Sequence, residues 1–490
     1  MFEGIFLEKE IKEKLSELKE IDEKMYGYLL NKKIEFKKSK VLKKSVEQTI
    51  KRYLLRVTGF EKASIKKYLS KFIEEYQKRL TAKELINRIN LPSNKKIILY
   101  VASAPTFNII RQSIYLRKAG YETILLMERS LSLINLAEKY FDIVYVFNSI
   151  YSLSYILKEA RPYLVHVQGT TRNANHFGII AKLLSKCKVI FNFYDIPSTT
   201  IAKEDIISAG KEIVSAGGAG GSIEEIELDF FSERFACERC DGIIYSYYPR
   251  VEDILMSRHR ISSPMVEFHS YPCDEFMSSE IGKYSDNDGN IYIVYGGGVA
   301  PSHMPEKYFG DTKFHGLIDK ITRQGIYFSI YTLTASQMLI KRDYGDYLRI
   351  SEKNQYFKFM KGMPLHESTR EFSKYDFGAM IYPFVSETLY WGTNMKEHIP
   401  MRLADKFFTY LESGLPIIIS EELHYGARLV KEYEIGIVVS QKDFDKLSEI
   451  INGYDREKLK ANVKRAREEL SMKRNIGRLI EFYEQVVGNR

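Results

Sequence analysis

Three successive glycines, Gly296, Gly297 and Gly298, follow the apolar run NIYIVY, and a group of cationic side chains (Lys396, His398, Arg402 and Lys406) lies further along the same half of the chain. A glycine-rich turn after a strand lets backbone N–H groups approach an anion closely, and phosphates are favoured ligands of such turns when they open a helix. Nearby cations could neutralise charge developing on a departing phosphate. The plainer reading of the glycines is a tight loop with left-handed backbone. In the N-terminal half the acid–base candidates are Asp195, His176 and His166. Asp195 closes the strand-like run KVIFNFY, where ligands of open parallel sheets collect, although Ile196-Pro197 also suits it as a helix N-cap. The only metal-like spacing, Cys237-x-x-Cys240, falls inside a predicted helix with no second pair nearby, which points to buried thiols; no metal is expected. GxxxxGK[ST] does not occur, and the first strand runs into Ala102-Ser103-Ala104-Pro105 rather than GxGxxG. Kinase-type phosphate transfer and hydride transfer both lose ground on this basis. The AGGAGG run at 216–221 has no strand before it and reads as part of a mobile loop over 208–222.

The elements that must position these residues follow an α/β rhythm. Short apolar runs fit for strands buried on both faces (KKIILYVAS, ETILLM, IVYVF, YLVHVQ, KVIFNFY, GIIYSY) alternate with helical spacing over 107–119, 132–140, 153–160, 176–185 and 224–240. A second series, from NIYIVYGGG through YFSIYTL, FKFMKG, DFGAMIY and PIIIS to IGIVVS, repeats the rhythm, with helices predicted over 314–324, 365–374 and 403–413. Residues 443–453 and 455–487 read as helical with little between them. Such alternation predicts two tandem Rossmann-like, doubly wound parallel sheets. The expected organisation is a helical extension (1–94), an N-terminal Rossmann-like domain (95–284), a C-terminal Rossmann-like domain (285–454) and a closing helix folded back onto the first domain (455–490). The stretches YPCDEF and SDNDGN read as the interdomain linker.

The chain of 490 residues carries a net charge of +9, and residues 1–94 hold 23 Lys plus Arg against 14 Asp plus Glu, so the remainder is formally neutral. Basicity confined to one fifth of the chain reads as an appended surface, solvated or resting on anionic lipid or an acidic partner, rather than as a nucleic-acid cleft. No uncharged apolar run is long enough to span a bilayer, the first residues lack the apolar core of a secretory signal, and four scattered cysteines form no disulfide framework. A cytoplasmic protein, peripheral at most to the inner face of the membrane, is the expectation.

The most specific wording is ADKFFTYLESGLPIIIS over 404–420. Together with RPYLVHV (161–167), CDGII (240–244), YPCDEF (271–276), YDFGAM (375–380) and the closing LIEFY (479–483), it resembles the family-4-like glycosyltransferases of the GT-B fold (glycosyl transferases group 1) over residues 95–490. The resemblance implies that the turn at Gly296, Gly297 and Gly298 faces the diphosphate of a nucleotide-sugar donor. The arginine that follows this turn in the family is missing, and only Lys307 could stand in. Lys406 matches a donor-site lysine, with Arg402, Lys396 and His398 around it. The family's E-x7-E carboxylates fall on Met401 and Thr409, so that motif is absent, and Glu412 sits one turn from Thr409. Glu387 could hydrogen-bond the donor sugar; otherwise it is a solvated loop acid. In the first domain Tyr194-Asp195 stands where the family has His-Asp, which leaves Asp195 or His176 as the acceptor's base.

The resemblance therefore implies a metal-independent glycosyltransferase using a nucleotide-diphosphate sugar such as a UDP- or GDP-sugar, with a glycan, a lipid-linked molecule or a protein as acceptor. The acceptor would enter past residues 102–105 and Asp195. Two alternatives stay open: a catalytically inactive homologue serving as a binding or scaffold subunit, and a sugar-nucleotide epimerase of the same fold. A nucleic-acid-associated protein is a third and weaker one.

Overall fold

The computed structural model describes residues 81–488 apart from 129–133, 148–149, 170–174, 201–222, 247–249, 279–281, 333–342, 385–399 and 402. The glycine-alanine run at 216–221 and most of the basic extension lie outside the described residues. Strands β1 (Ile97–Ala102), β2 (Glu122–Glu128), β3 (Ile143–Phe147), β4 (Leu164–Gly169), β5 (Val189–Phe193), β6 (Gly242–Tyr245) and β7 (Met265–Glu267) form a sheet in the order β3-β2-β1-β4-β5-β6-β7. Strands β8 (Tyr292–Gly296), β9 (Tyr327–Thr332), β10 (Phe357–Lys361), β11 (Phe377–Met380), β12 (Ile417–Ser420) and β13 (Gly436–Val439) form a second, in the order β10-β9-β8-β11-β12-β13. Every pairing is parallel, with Tyr100 beside His166 across β1 and β4 and Gly378 beside Val294 across β11 and β8. The two orders are the same doubly wound pattern, so the chain has the tandem Rossmann-like architecture of the GT-B fold. All six residues of β1 and of β4 are buried, as strands covered by helices on both faces require.

The first lobe carries helices α1 (Ala82–Asn90), α2 (Phe107–Lys118), α3 (Ile134–Tyr140), α4 (Ile150–Glu159), α5 (Asn175–Leu184), α6 (Ile223–Arg239) and α7 (Arg250–Arg258). The second carries α8 (His315–Thr322), α9 (Gly345–Lys353), α10 (Leu365–Phe372), α11 (Lys406–Glu412), α12 (His424–Glu432), α13 (Leu447–Asn452) and α14 (Arg456–Glu469), and the chain closes with α15 (Met472–Gly488). Gly120 and Gly414 take φ of 90° and 71° just past α2 and α11, the left-handed turn that ends a helix there.

Three boundaries differ from the sequence reading. Helix α1, inside the expected extension, is built into the first lobe: Leu85, Ile86 and Ile89 are buried in its core, and Asn90 Nδ2 donates to the Glu159 carbonyl at 2.9 Å. Its apolar stripe needs a partner, and a reciprocal Thr81–Glu84 cap starts the helix at that place. The expected linker is not a solvated strap, because Tyr271, Cys273 and Phe276 are buried in the core shared by the lobes. The closing segment is two helices with different addresses. Helix α14 stays on the second lobe, where Asn462 Nδ2 donates to the Glu434 carbonyl at 3.0 Å, and only α15 lies on the first, where Tyr483 Oη is 2.7 Å from His166 Nδ1. Strand β7 and helices α7, α9 and α12 are absent from the sequence reading, and the three half-buried residues of β7 carry no alternation to detect. Among the described residues no helix is long and apolar enough to cross a membrane.

Candidate active site

A cavity of about 350 Å³ opens between the lobes at the C-terminal ends of both sheets. Its size is that of a small-ligand pocket, and its place is where open parallel sheets bind ligands. The first lobe contributes Phe107, Tyr194, Asp195 and Ser246, and the second contributes Gly296, Gly297 and Gly298 together with Tyr295, Tyr331, Tyr382, Asp405, Lys406 and Thr409.

The glycine turn follows β8, whose neighbour β11 marks the switch in strand order. None of the three glycines has a positive φ among the described residues, so the tight-loop reading is not why they are there. Space is the reason at two of them: a Cβ on Gly296 would meet the Phe372 ring at 2.9 Å, and one on Gly297 would meet Lys406 Nζ at 2.7 Å, whereas one on Gly298 would meet nothing within 4 Å. Nor does the turn open directly into a helix of length, since the chain passes through 299–314 before α8. Two of its amides are committed inside the lobe. Gly296 N–H donates to Tyr410 Oη at 3.0 Å, and Gly297 N–H donates to the Tyr331 carbonyl at 2.9 Å. Burial pushes the Tyr410 phenol well above its usual range, so it stays neutral and its hydroxyl donates a hydrogen bond to the Ala379 carbonyl at 3.0 Å.

Lys406 begins α11 and is the only cation lining the cavity among the described residues. Its Nζ lies 3.8 Å from the centroid of the Tyr295 ring and donates to Tyr382 Oη at 3.0 Å, which holds the charge against the glycine turn. Thr409, one turn along, lines the same wall, its hydroxyl donating to the Asp405 carbonyl at 3.2 Å. Across the cavity Tyr194 Oη donates to Asp405 Oδ2 at 2.8 Å and bridges the lobes. Asp195 follows, and the turn after it is fixed by buried Glu233, whose carboxylate accepts Ser198 N–H at 2.7 Å and Ser198 Oγ–H at 2.5 Å.

Not every predicted residue joins this cavity. Glu412 does not: it is wholly buried, its two oxygens bind Arg111 Nε at 2.8 Å and Nη2 at 2.6 Å, and one also accepts Cys273 N–H at 2.9 Å. A carboxylate spent this way cannot also hold a ligand, so the donor-site role is withdrawn. His176 lies in the first turn of α5 with its ring on Phe177 and is not among the cavity residues. His166 is fully buried beneath α15, and burial lowers its pKa to about 3, which removes it from the acid–base candidates. Residues 102–105 do not line the cavity either; Phe107, just beyond them, does. Arg402, Glu387, Lys396 and His398 lie outside the described residues, as does the side chain of Lys307. Cys237 and Cys240 are free and buried, the latter thiol pushed up to about 12, and no group of His, Cys, Asp and Glu among the described residues could hold a metal ion.

Sequence reasoning missed Tyr295, Tyr331, Tyr382, Ser246 and Asp405. All but Asp405 sit at or just past the C-terminal end of a strand, and that position was the available signal.

Residues 331–480 match the family model "Glucosyltransferase 3-like, C-terminal domain". No curated protein matches the chain in sequence. Among solved structures, AviGT4, a glycosyltransferase involved in avilamycin A biosynthesis, is 11% identical, with 81% of this chain and 99% of that one covered and a TM-score of 0.43. A UDP-GlcNAc 2-epimerase from Neisseria meningitidis, bound to UDP-GlcNAc, is also 11% identical, with 80% and 100% covered and a TM-score of 0.44. The wall teichoic acid polymerase TagF is 10% identical, with 88% and 98% covered and a TM-score of 0.37. The fold assignment rests on the two strand orders and not on these values.

Proposed function

We propose that this chain, residues 331–480 of which match the glucosyltransferase 3-like C-terminal domain model, is a glycosyltransferase that moves a sugar from a nucleotide-diphosphate donor to a glycan, lipid-linked or protein acceptor. One observation carries the reading. The 296–298 turn, Lys406 and Thr409 of one lobe face Tyr194 and Asp195 of the other around a single cavity at the ends of both sheets. In this reading the bond between the anomeric carbon and the β-phosphate oxygen breaks, and the nucleoside diphosphate leaves with the electron pair. Lys406 neutralises the charge that develops there. The acceptor oxygen bonds to the same carbon and gives its proton to Asp195, and apposition of the lobes keeps water from competing.

The absence of carboxylates at Met401 and Thr409, and the commitment of Glu412 to Arg111, support a second reading, a homologue that binds nucleotide sugars without turnover. A thermal-shift and turnover screen with UDP, GDP, CDP, ADP and their sugars separates the two. Stabilisation by a nucleotide sugar with transfer to an acceptor supports the enzyme, and stabilisation alone supports the binding subunit. Replacing Lys406 with Ala is expected to cost on the order of a hundredfold in turnover, the size of effect seen when one charge-stabilising group is removed. Equal activity in wild type and variant removes Lys406 from the site. No stabilisation by any of these nucleotides ends both readings.

A further inference from the structure

We propose that Arg111 is a positioning residue of this cleft, and that its pair with Glu412 is the fixed pivot on which the two lobes meet; this rests on reading the cleft as the nucleotide-sugar site. Arg111 lies in the middle of α2, where every residue from Asn108 to Leu116 is buried, and both it and Glu412 are 0% exposed. Removing two charges from water is expensive, and an apolar pair of the same volume would often hold two helices at least as well. A charged pair at this place supplies direction instead. The guanidinium grips both carboxylate oxygens, and its Nη2 also reaches Thr409 Oγ1 at 3.4 Å. The same carboxylate accepts the amide of Cys273, in the connection between the lobes. Three segments (a first-lobe helix, the interlobe connection and a second-lobe helix) are thereby locked at one point.

That point sits directly behind the cleft. Phe107 lies four residues before Arg111 on α2 and Lys406 six before Glu412 on α11, so the pivot is only about 6 to 9 Å along each helix from a residue lining the cavity. Thr409 belongs to both, touching Arg111 and lining the cavity. Beside the cavity, Tyr194 of the first lobe donates to Asp405 of the second, and away from it Tyr425 of α12 meets Glu267 and His269 of the first lobe. Parting the lobes at Tyr194 and Asp405 breaks a partly buried contact of a neutral phenol, whereas parting them at Arg111 would strand two buried charges. The lobes therefore open at Tyr194–Asp405 and turn on Arg111–Glu412. Nη1 of Arg111 is buried with no hydrogen-bond partner among the described residues, an expense that a network selected for stability alone would avoid.

The test uses full-length protein with Cys187→Ser, Lys139→Cys and Lys361→Cys, spin-labelled at the two introduced, exposed cysteines on opposite lobes. Interlobe distances, melting temperature and UDP affinity are measured with and without Arg111→Lys and the double change Arg111→Met with Glu412→Leu. The double variant leaves no buried charge unpaired, so its melting temperature is expected to return close to that of the parent. Arg111→Lys keeps the charge but loses the two-pronged grip. Both are expected to broaden the distance distribution and weaken UDP binding on the order of tenfold, the equivalent of one charge-assisted contact. A narrow, parent-like distribution in both variants overturns the pivot. If the parent binds none of the nucleotides, the nucleotide-sugar reading falls, and the distance measurement still decides whether Arg111 fixes the lobes.

Discussion

The two lobes share one strand order and use its switch point in opposite ways. In the first, β1 ends at Ala102 and the chain enters α2 almost at once, capped by Thr106, whose hydroxyl accepts Ile109 N–H. The buried polar side chains of α2, Asn108, Arg111, Gln112 and Ser113, are spent on protein contacts, with Gln112 paired to Tyr100 and Asn108, Ser113 to Thr123 and the Tyr140 carbonyl, and Arg111 to the other lobe. In the second lobe the turn after β8 carries three side-chain-free residues that line the cavity and let the Phe372 ring and the Lys406 ammonium pack against the backbone. Equivalent topology thus yields a fastening in one lobe and an opening in the other. What separates them is side-chain volume and charge at the strand ends, since the backbone path up to those ends is the same.

The contrast can be broken most forcefully at the fastening. Glu412→Ala leaves the Arg111 charge buried and alone, and chemical denaturation should show a loss of about 3–5 kcal/mol; a loss below about 1 kcal/mol would mean that the lobes do not depend on this pair. A second strong effect should come from acid. His166 is held neutral by burial, its pKa depressed from 6.5 to about 3, with the uncharged phenols of Tyr483 and Tyr100 against its ring. The unfolded chain takes up that proton first, so stability is complete above pH 6.5 and falls as pH drops towards 3, by up to about 1.4 kcal/mol per pH unit. His166→Asn should flatten that part of the stability profile, and an unchanged slope would assign acid sensitivity to other groups.

At the opening, Gly297→Ala places a methyl group 2.7 Å from Lys406 Nζ, the far end of a flexible side chain. The fold should hold, with a nearly unchanged melting temperature, while nucleotide-sugar affinity drops on the order of tenfold as the ammonium moves. A parent-like affinity would show that the ligand does not feel this wall. The smallest expected effect is the mirror change in the first lobe: Thr106→Ala removes the cap of α2 and should cost about 1 kcal/mol of stability with affinity untouched. If affinity falls instead, the ligand depends on how the cap holds Phe107 at the cavity wall.

Much of this was legible in the sequence for a simple reason. Strands buried on both faces must be short apolar runs, and helices covering them must show helical spacing, so FNIIRQSIYLRK and KVIFNFY announce their own structure. The glycine turn and Lys406 stood out because motif spacing is local. Glu412 was misplaced because a carboxylate one turn from Thr409 looks the same on paper whether it faces a ligand or an arginine. The tyrosines were overlooked because phenols serve equally as packing and as lining, and only position relative to a strand end tells them apart.

The sequence by itself determined the alternation of strands and helices, the two sheets, and the turn without side chains at the start of the second. The tertiary structure alone decided that Arg111 and Glu412, 301 residues apart, neutralise one another, and that Tyr194 closes on Asp405 while His166 is sealed under the last helix. Burial patterns repeat within a dozen residues and can be read along the chain. The partner of a buried charge is set by which helices are brought face to face, and nothing in the neighbouring residues records it.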